Sequence, residues 1–112
     1  MNQGVLLKIF VPEERVHGEA LLYEWILERA KALGIPGGTA FRAIAGYGRH
    51  GSLHQEGFID LMPNLPVQVQ FVATEEQAQQ LLNLMRAEQI SAFYVRSPVE
   101  LGFTAEPRTT RG

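Results

Sequence analysis

Alternation of apolar and polar residues predicts four strands along the chain. Apolar residues recur at every second position in residues 5–11 and 65–72, which is the period of a strand with one buried face. Pro12 ends the first of these strands. Two further strands are predicted over residues 39–46 and 92–96.

Two other segments carry apolar residues at spacings of three and four, the period of an amphipathic helix. The first runs over residues 18–33, and Gly34 is a natural stop for it. The second follows a capping box, in which the Thr74 hydroxyl accepts a hydrogen bond from the Gln77 backbone amide and the Gln77 side chain reaches back to the Thr74 backbone amide. This helix continues to about Glu88.

The resulting order β-α-β-β-α-β predicts an α+β, ferredoxin-like fold with a four-stranded antiparallel sheet. Both helices of that fold cover one face of the sheet. Trp25 and Phe41 lie on periodic apolar faces and are predicted to be core residues. Leu6 and Phe10 fall on the face that the helices leave open, so we expect an oligomer that buries this face.

Composition narrows the class of protein. The 112 residues fit one domain, predicted over residues 1–101, followed by a polar tail over residues 102–112 that we expect to be flexible. A formal charge of −2 gives no reason to expect nucleic-acid binding. The absence of cysteine excludes disulfides, thiolate metal sites and cysteine nucleophiles. No apolar run is long enough to insert into a membrane and no signal peptide is evident, which favours a cytoplasmic protein.

Residues 46–51, GYGRHG, satisfy the pattern G-x-G-x-x-G of phosphate-binding loops. A dinucleotide-binding loop needs a helix directly after it, and residues 52–58 have no helical apolar face. A kinase loop needs catalytic and metal-binding motifs that this short chain lacks. On the pattern alone, the glycines provide a sharp exit from the second strand.

The same stretch carries a resemblance to a known family. Residues 34–51, GIPGGTAFRAIAGYGRHG, resemble the PII signalling proteins, which read roughly G-I-x-G-x-T, five residues, then G-F-G-R-Q-x-G. The similarity continues through residues 60–76, DLMPNLPVQVQFVATEE, and residues 17–48 are closer still to a PII-like branch, the domain-of-unknown-function-190 family. The resemblance implies a cytoplasmic, PII-like homotrimer that acts as a regulatory protein and not as an enzyme. Some members of the branch sit beside a fluoride-channel protein, which suggests a membrane transporter or channel as partner.

In PII proteins the ligand lies in the cleft between subunits. The resemblance implies that the residues at the matching positions of this sequence make the same ligand contacts. Thr39 would contact the adenine end of a nucleotide, and Gly46, Tyr47, Gly48 and Arg49 would lie near the phosphates. Glycine amides can approach a phosphate closely, and an arginine can fork to two of its oxygens. The expected effector is a small anion such as an adenine nucleotide, with no certain cofactor.

The sequence departs from the PII pattern at two places. His50 stands where PII proteins have a glutamine, and residues 88–93 lack the glycines and lysines of the second PII phosphate loop. The spacing of His50 and His54 leaves an alternative open, a metal-binding protein or small enzyme with an intersubunit site, although a solvated loop is the simpler interpretation. A trimeric scaffold that binds only protein is a third interpretation. No catalytic triad is indicated.

Overall fold

The computed structural model describes residues 2–47 and 65–108. Its elements in chain order are strand β1 (Asn2–Pro12), short strands β2 (Val16–His17) and β3 (Ala20–Leu21), helix α1 (Leu22–Ala32), strands β4 (Gly37–Arg42) and β5 (Pro66–Ala73), helix α2 (Glu75–Ala87) and strand β6 (Phe93–Leu101). Within the described ranges the four longer strands form one antiparallel sheet in the order β4-β5-β1-β6, and β2 pairs with β3. The predicted ferredoxin-like fold is confirmed.

The hydrophobic core lies between the helices and one face of the sheet. Leu7 of β1 is paired with Phe71 of β5, and both side chains are almost fully buried. Alternate residues of the two strands share this face, and the helices close the core with their own apolar stripes, formed by Leu22, Ile26, Ala30, Ala78, Leu81, Leu82 and Met85. Neither described helix is long and apolar enough to cross a membrane.

Helix α1 begins later than the sequence pattern predicts. Residues 16–21 form the β2–β3 hairpin, and Gly18 adopts a left-handed φ of 65°, which glycine reaches without a Cβ penalty. His17 in this hairpin contacts the Trp25 ring edge-on at a centroid distance of 4.7 Å, and its Nε2 lies 3.0 Å from Glu88 Oε1. The hairpin is therefore held against both α1 and the end of α2.

The two predicted helix ends are confirmed. Gly34 has a left-handed φ of 89°, and its amide donates to the Lys31 carbonyl at 3.0 Å, which ends α1. At the start of α2, the Thr74 hydroxyl accepts from the Gln77 amide and the Thr74 amide donates to Gln77 Oε1, both at 3.0 Å. The Gln77 Nε2 also donates to the Gly34 carbonyl at 3.0 Å, so one side chain joins the two helix ends.

The face of the sheet away from the helices, called here the open face, carries apolar side chains. Leu6 and Phe10 occupy alternate β1 positions on this face and are half-buried in the single chain. The Phe10 ring packs against the Phe93 ring of β6 at a centroid distance of 5.8 Å, and Val95 stands two positions further along the same strand. The helices thus leave Leu6 and Phe10 on the uncovered face, as the strand alternation predicts, and burial of this face in an oligomer remains a prediction.

The prediction that Phe41 belongs to the core is wrong. Phe41 is opposite Gln68 on the open face, and 48% of its surface is exposed. Gly38 and Ala40 take the positions of β4 that face the helices, where small residues let the strand lie close to the core. Trp25, by contrast, does pack against the core, partly buried.

Candidate functional site

Strand β4, which carries Thr39, lies at one edge of the described sheet and is hydrogen-bonded to β5. Gly38 lies opposite Phe71, and a Cβ added at Gly38 would stand 2.5 Å from Phe71 Cε1 and 3.1 Å from Leu27 Cδ2. A residue without a side chain therefore allows the strand to pass over the buried ring. Thr39 follows on the opposite face, paired with Gln70, and is exposed.

The structure places only part of the predicted ligand site. The strand that carries Thr39 ends at Arg42, so Gly46 and Tyr47 lie beyond the sheet. Tyr47 is 91% exposed, and among the described residues no atom comes within 4 Å of a Cβ built at Gly46. The other predicted residues, Gly48, Arg49, His50 and His54, lie outside the described residues.

An ion pair at the end of β4 is a feature that the sequence did not indicate. Arg42 Nη2 and Nε donate to Glu13 Oε2 at 2.7 and 3.0 Å. Glu13 directly follows β1, and its amide donates to the Leu65 carbonyl at 3.2 Å. Glu13 therefore contacts both sides of the connection between β4 and β5, through its side chain on one side and its backbone on the other.

The ion pair shifts the titration of both partners. The hydrogen bond from Arg42 lowers the pKa of the Glu13 carboxyl, desolvation opposes this effect, and attraction to the guanidinium adds to it. The same hydrogen bond and charge raise the pKa of Arg42, and Tyr23 adds a smaller effect in that direction. Both groups are thus held in their charged forms near neutral pH.

Two surface cavities in the described part of the chain lie near these residues. One, of about 150 Å³, lies beside the β4 ion pair and is lined by Tyr23, Ala40, Phe41, Arg42 and Val67. The other, also of about 150 Å³, lies between the end of α2 and the start of β6 and is lined by Ile9, Leu82, Met85, Arg86, Ile90, Ser91, Ala92 and Tyr94.

The segment between α2 and β6 lacks the glycines and lysines of the second PII phosphate loop, but it contains a left-handed residue and lies beside two arginines. Gln89 adopts a left-handed φ of 60° in the turn after α2. Arg86, from the last turn of α2, lines the cavity there and supplies a positive charge that residues 88–93 lack. The Arg15 guanidinium reaches the same segment and donates to the Ser91 carbonyl at 2.7 Å. The contact of Arg15 with this segment was not predicted, because 76 residues separate the two partners.

Metal ligation is not indicated in the parts of the chain that the structure describes. No three side chains of histidine, aspartate or glutamate converge there as a metal-binding group. His17, the histidine within the described ranges, pairs with the Glu88 carboxylate. His50 and His54, on which the metal hypothesis depends, fall outside those ranges.

Comparisons with known proteins agree with this architecture. Residues 4–101 match the family DUF190, described as "Uncharacterized ACR". A UPF0166 protein of Aquifex aeolicus (strain VF5) is 36% identical over 83 residues, covering 74% of this chain and 79% of the relative.

Two solved structures of CPII from Thiomonas intermedia K12 superpose on the chain. One, bound to ADP and bicarbonate, has a TM-score of 0.59 and 25% identity, covering 91% of each chain. The other is described as a nitrogen regulatory PII-like protein bound to ADP, AMP and bicarbonate. It has a TM-score of 0.59 and 21% identity, covering 93% of this chain and 98% of that one.

The sheet order, the two helices on one face and these superpositions define the fold as that of the PII-like signalling proteins. Within this class, the chain belongs to the domain-of-unknown-function-190 family, whose match spans all the strands and helices except the first two residues of β1. The resemblance in residues 34–51 is thereby confirmed.

Proposed function

We propose that the protein is a regulatory module that binds an adenine nucleotide at the cleft between subunits and does not transform it. The observation that carries this proposal is the superposition with CPII bound to ADP and bicarbonate, at 25% identity over 91% of both chains. Thr39 stands exposed on edge strand β4, where a ligand could reach its hydroxyl. A Thr hydroxyl both donates and accepts hydrogen bonds, as recognition of an adenine edge requires.

The cleft in this proposal is formed by a homotrimer. Three aromatic side chains of the open face support self-association: Phe10, Phe41 and Phe93. Phe41 and Phe93 are 48% and 57% exposed in the single chain. Phe10 and Phe93 pack together on this face, and Gln68 lies between Phe10 and Phe41. Exposed apolar side chains on one face favour association, and closed symmetric assemblies are the usual result. The edge strand β4 of one subunit would then face a neighbouring subunit and complete the cleft.

The phosphates of the nucleotide would lie beyond the end of β4. We assign their contacts to the backbone of Gly46, Tyr47 and Gly48 and to the guanidinium of Arg49. Gly46 supports this assignment because it has no side chain, and no atom of the described part of the chain occupies the position of a Cβ there. Backbone amides in such a position bind phosphate oxygens, and an arginine adds a charge-assisted fork.

Regulation would follow from the connection between β4 and β5. Occupation of the cleft would reorganise this connection, and its changed conformation would engage or release a partner protein in the cytoplasm. A membrane transporter or channel is the partner that we propose. Exposed apolar residues directly after β4 support a protein-binding role, because Ile44 and Tyr47 are 92% and 91% exposed.

To test nucleotide binding, the protein is titrated with ADP, AMP and ATP, and binding is measured by calorimetry and by thermal shift. We expect Arg49→Ala to weaken binding by about tenfold or more, since it removes a charge-assisted contact. Thr39→Ala should weaken the binding of adenine nucleotides more than it weakens the binding of inorganic pyrophosphate. Arg108→Ala, an exposed change beyond β6, is the matched control and should bind as the unchanged protein does. Failure of all three nucleotides to bind the trimer would refute the proposal.

A further inference from the structure

The pairing of Arg42 with Glu13 leaves the guanidinium in less than its best geometry. Nε and Nη2 both donate to the same carboxylate oxygen, Oε2, at 3.0 and 2.7 Å. A fork-to-fork arrangement would use two oxygens of the anion and is the stronger mode of binding. The Arg42 side chain is 64% exposed, so an anion from solvent can reach it.

The cavity beside this ion pair has the chemistry of a small-anion site. It is lined by Arg42 and Tyr23, the two residues with polar side chains, and by Ala40, Phe41 and Val67. A phenol can donate one hydrogen bond to an oxygen that the guanidinium already holds. On the measure by which one water requires roughly 10–15 Å³, the cavity offers about 150 Å³, which is room for an anion of three or four heavy atoms.

The Glu13 carboxylate is an internal competitor for such an anion. Exposed ion pairs contribute little net free energy, because water and salt screen them and two side chains must be ordered. An external carboxylate that forks to Arg42 and accepts from Tyr23 can therefore compete with Glu13 for the guanidinium. The backbone bonds from Glu13 to Leu65 and from Ala43 to Pro66 do not depend on this side-chain contact.

We propose that Arg42 and Tyr23 bind a small carboxylate-like oxyanion in the cavity beside β4, and that the Glu13 side chain holds Arg42 when the anion is absent. Binding would release the side-chain tie between the end of β4 and the segment after β1. The inference does not depend on nucleotide binding.

The test is a titration of the nucleotide-free protein with acetate and with bicarbonate, balanced by chloride at constant ionic strength and pH. Binding is followed by the Nε–H resonance of ¹⁵N-labelled arginine and by thermal shift. Glu13→Gln removes the competing charge, so we expect half-saturation at a concentration about two- to fivefold lower than in the unchanged protein. Arg42→Lys keeps the charge but loses the forked pair of N–H donors, so the anion concentration at half-saturation should rise about tenfold.

Two further variants separate this site from general effects of salt. Glu14→Gln removes the neighbouring carboxylate and should leave the anion concentration at half-saturation unchanged. Tyr23→Phe should weaken binding of the anion without changing the far-UV circular dichroism spectrum. Three results would each overturn the proposal: equal shifts with chloride and acetate, no tightening in Glu13→Gln, or unaltered binding in Arg42→Lys. Since no nucleotide is present, none of these results bears on the test of the proposed function.

Discussion

Two neighbouring glycines in β4 allow the packing of this strand to be tested by the same substitution at two positions. At Gly38 an added Cβ would stand 2.5 and 2.7 Å from two atoms of the Phe71 ring and 3.1 Å from Leu27 Cδ2. At Gly37 the same Cβ would meet nothing within 4 Å. Neither glycine is among those with positive φ, so alanine is compatible with both backbones. Within one chain, the two substitutions therefore differ in packing alone.

The expected cost follows from the surroundings of the Phe71 ring. Phe71 is 1% exposed and lies in the core, so it has little room to turn aside. Overpacking of this kind typically costs about 1–3 kcal/mol, and we expect Gly38→Ala to lower the free energy of unfolding by that amount. The midpoint of thermal unfolding should fall by about 4 °C per kcal/mol in a chain of this size. Gly37→Ala should be neutral or stabilising by up to about 1 kcal/mol, through the unfolded state.

Urea unfolding followed by circular dichroism measures both effects. Protein concentration must be fixed, because self-association makes the apparent stability depend on it. Phe71→Leu removes the atom nearest the added Cβ, so combining it with Gly38→Ala should cost less than the sum of the two single changes. Equal stability of Gly37→Ala and Gly38→Ala would show that the ring yields freely and that the argument from close packing is wrong.

Three further outcomes are expected. Thr74→Ala should lower the free energy of unfolding by about 1 kcal/mol through loss of the capping box, whereas Thr104→Ala, exposed after β6, should not change it. The pKa of the Glu13 carboxyl is lowered in the folded state, so the unchanged protein should be more stable than Glu13→Gln at pH 7. This difference in stability should vanish as the pH falls through that lowered pKa, below the ordinary glutamate value of about 4.3. A difference that persists in acid would contradict the ion-pair explanation. Phe93→Glu should shift native mass toward the monomer, and Phe103→Glu, 78% exposed beyond the sheet, should not.

Sequence patterns predicted those parts of the fold that short-range physics determines. The alternation in β1 and β5 identified the buried face correctly, because a strand places every second residue on one side. The capping box at Thr74 and the stop at Gly34 depend on residues within one or two turns. Such features can be recognised without knowledge of which strands are neighbours.

The prediction failed where tertiary contacts decide the structure. Leu21 continues the helical spacing, yet it belongs to the β2–β3 hairpin, where it pairs with Val16. Strand β6 was predicted to end at Arg96, but it continues to Leu101 through Pro98. Proline is tolerated there because β6 is an edge strand of the described sheet, so its missing N–H breaks no ladder on the outer side.

The candidate site was only partly open to sequence analysis. Family resemblance directed attention to Thr39 and the glycines after β4, and the structure leaves Thr39 exposed on an edge strand. The Arg42–Glu13 pair was not predicted, because Glu13 looks like an ordinary surface charge and 29 residues separate the two. Only the sheet order brings the end of β4 beside the end of β1.

The Gln77 side chain has a consequence for how the protein opens. It completes the capping box of α2 and also donates to the carbonyl of Gly34, at the end of α1. The last turn of one helix and the first turn of the other therefore share a hydrogen-bonded residue. Terminal turns normally fray independently, with small opening free energies. Here the amides of both turns would exchange with deuterium through one common opening, and the two helix ends would behave as a single cooperative unit.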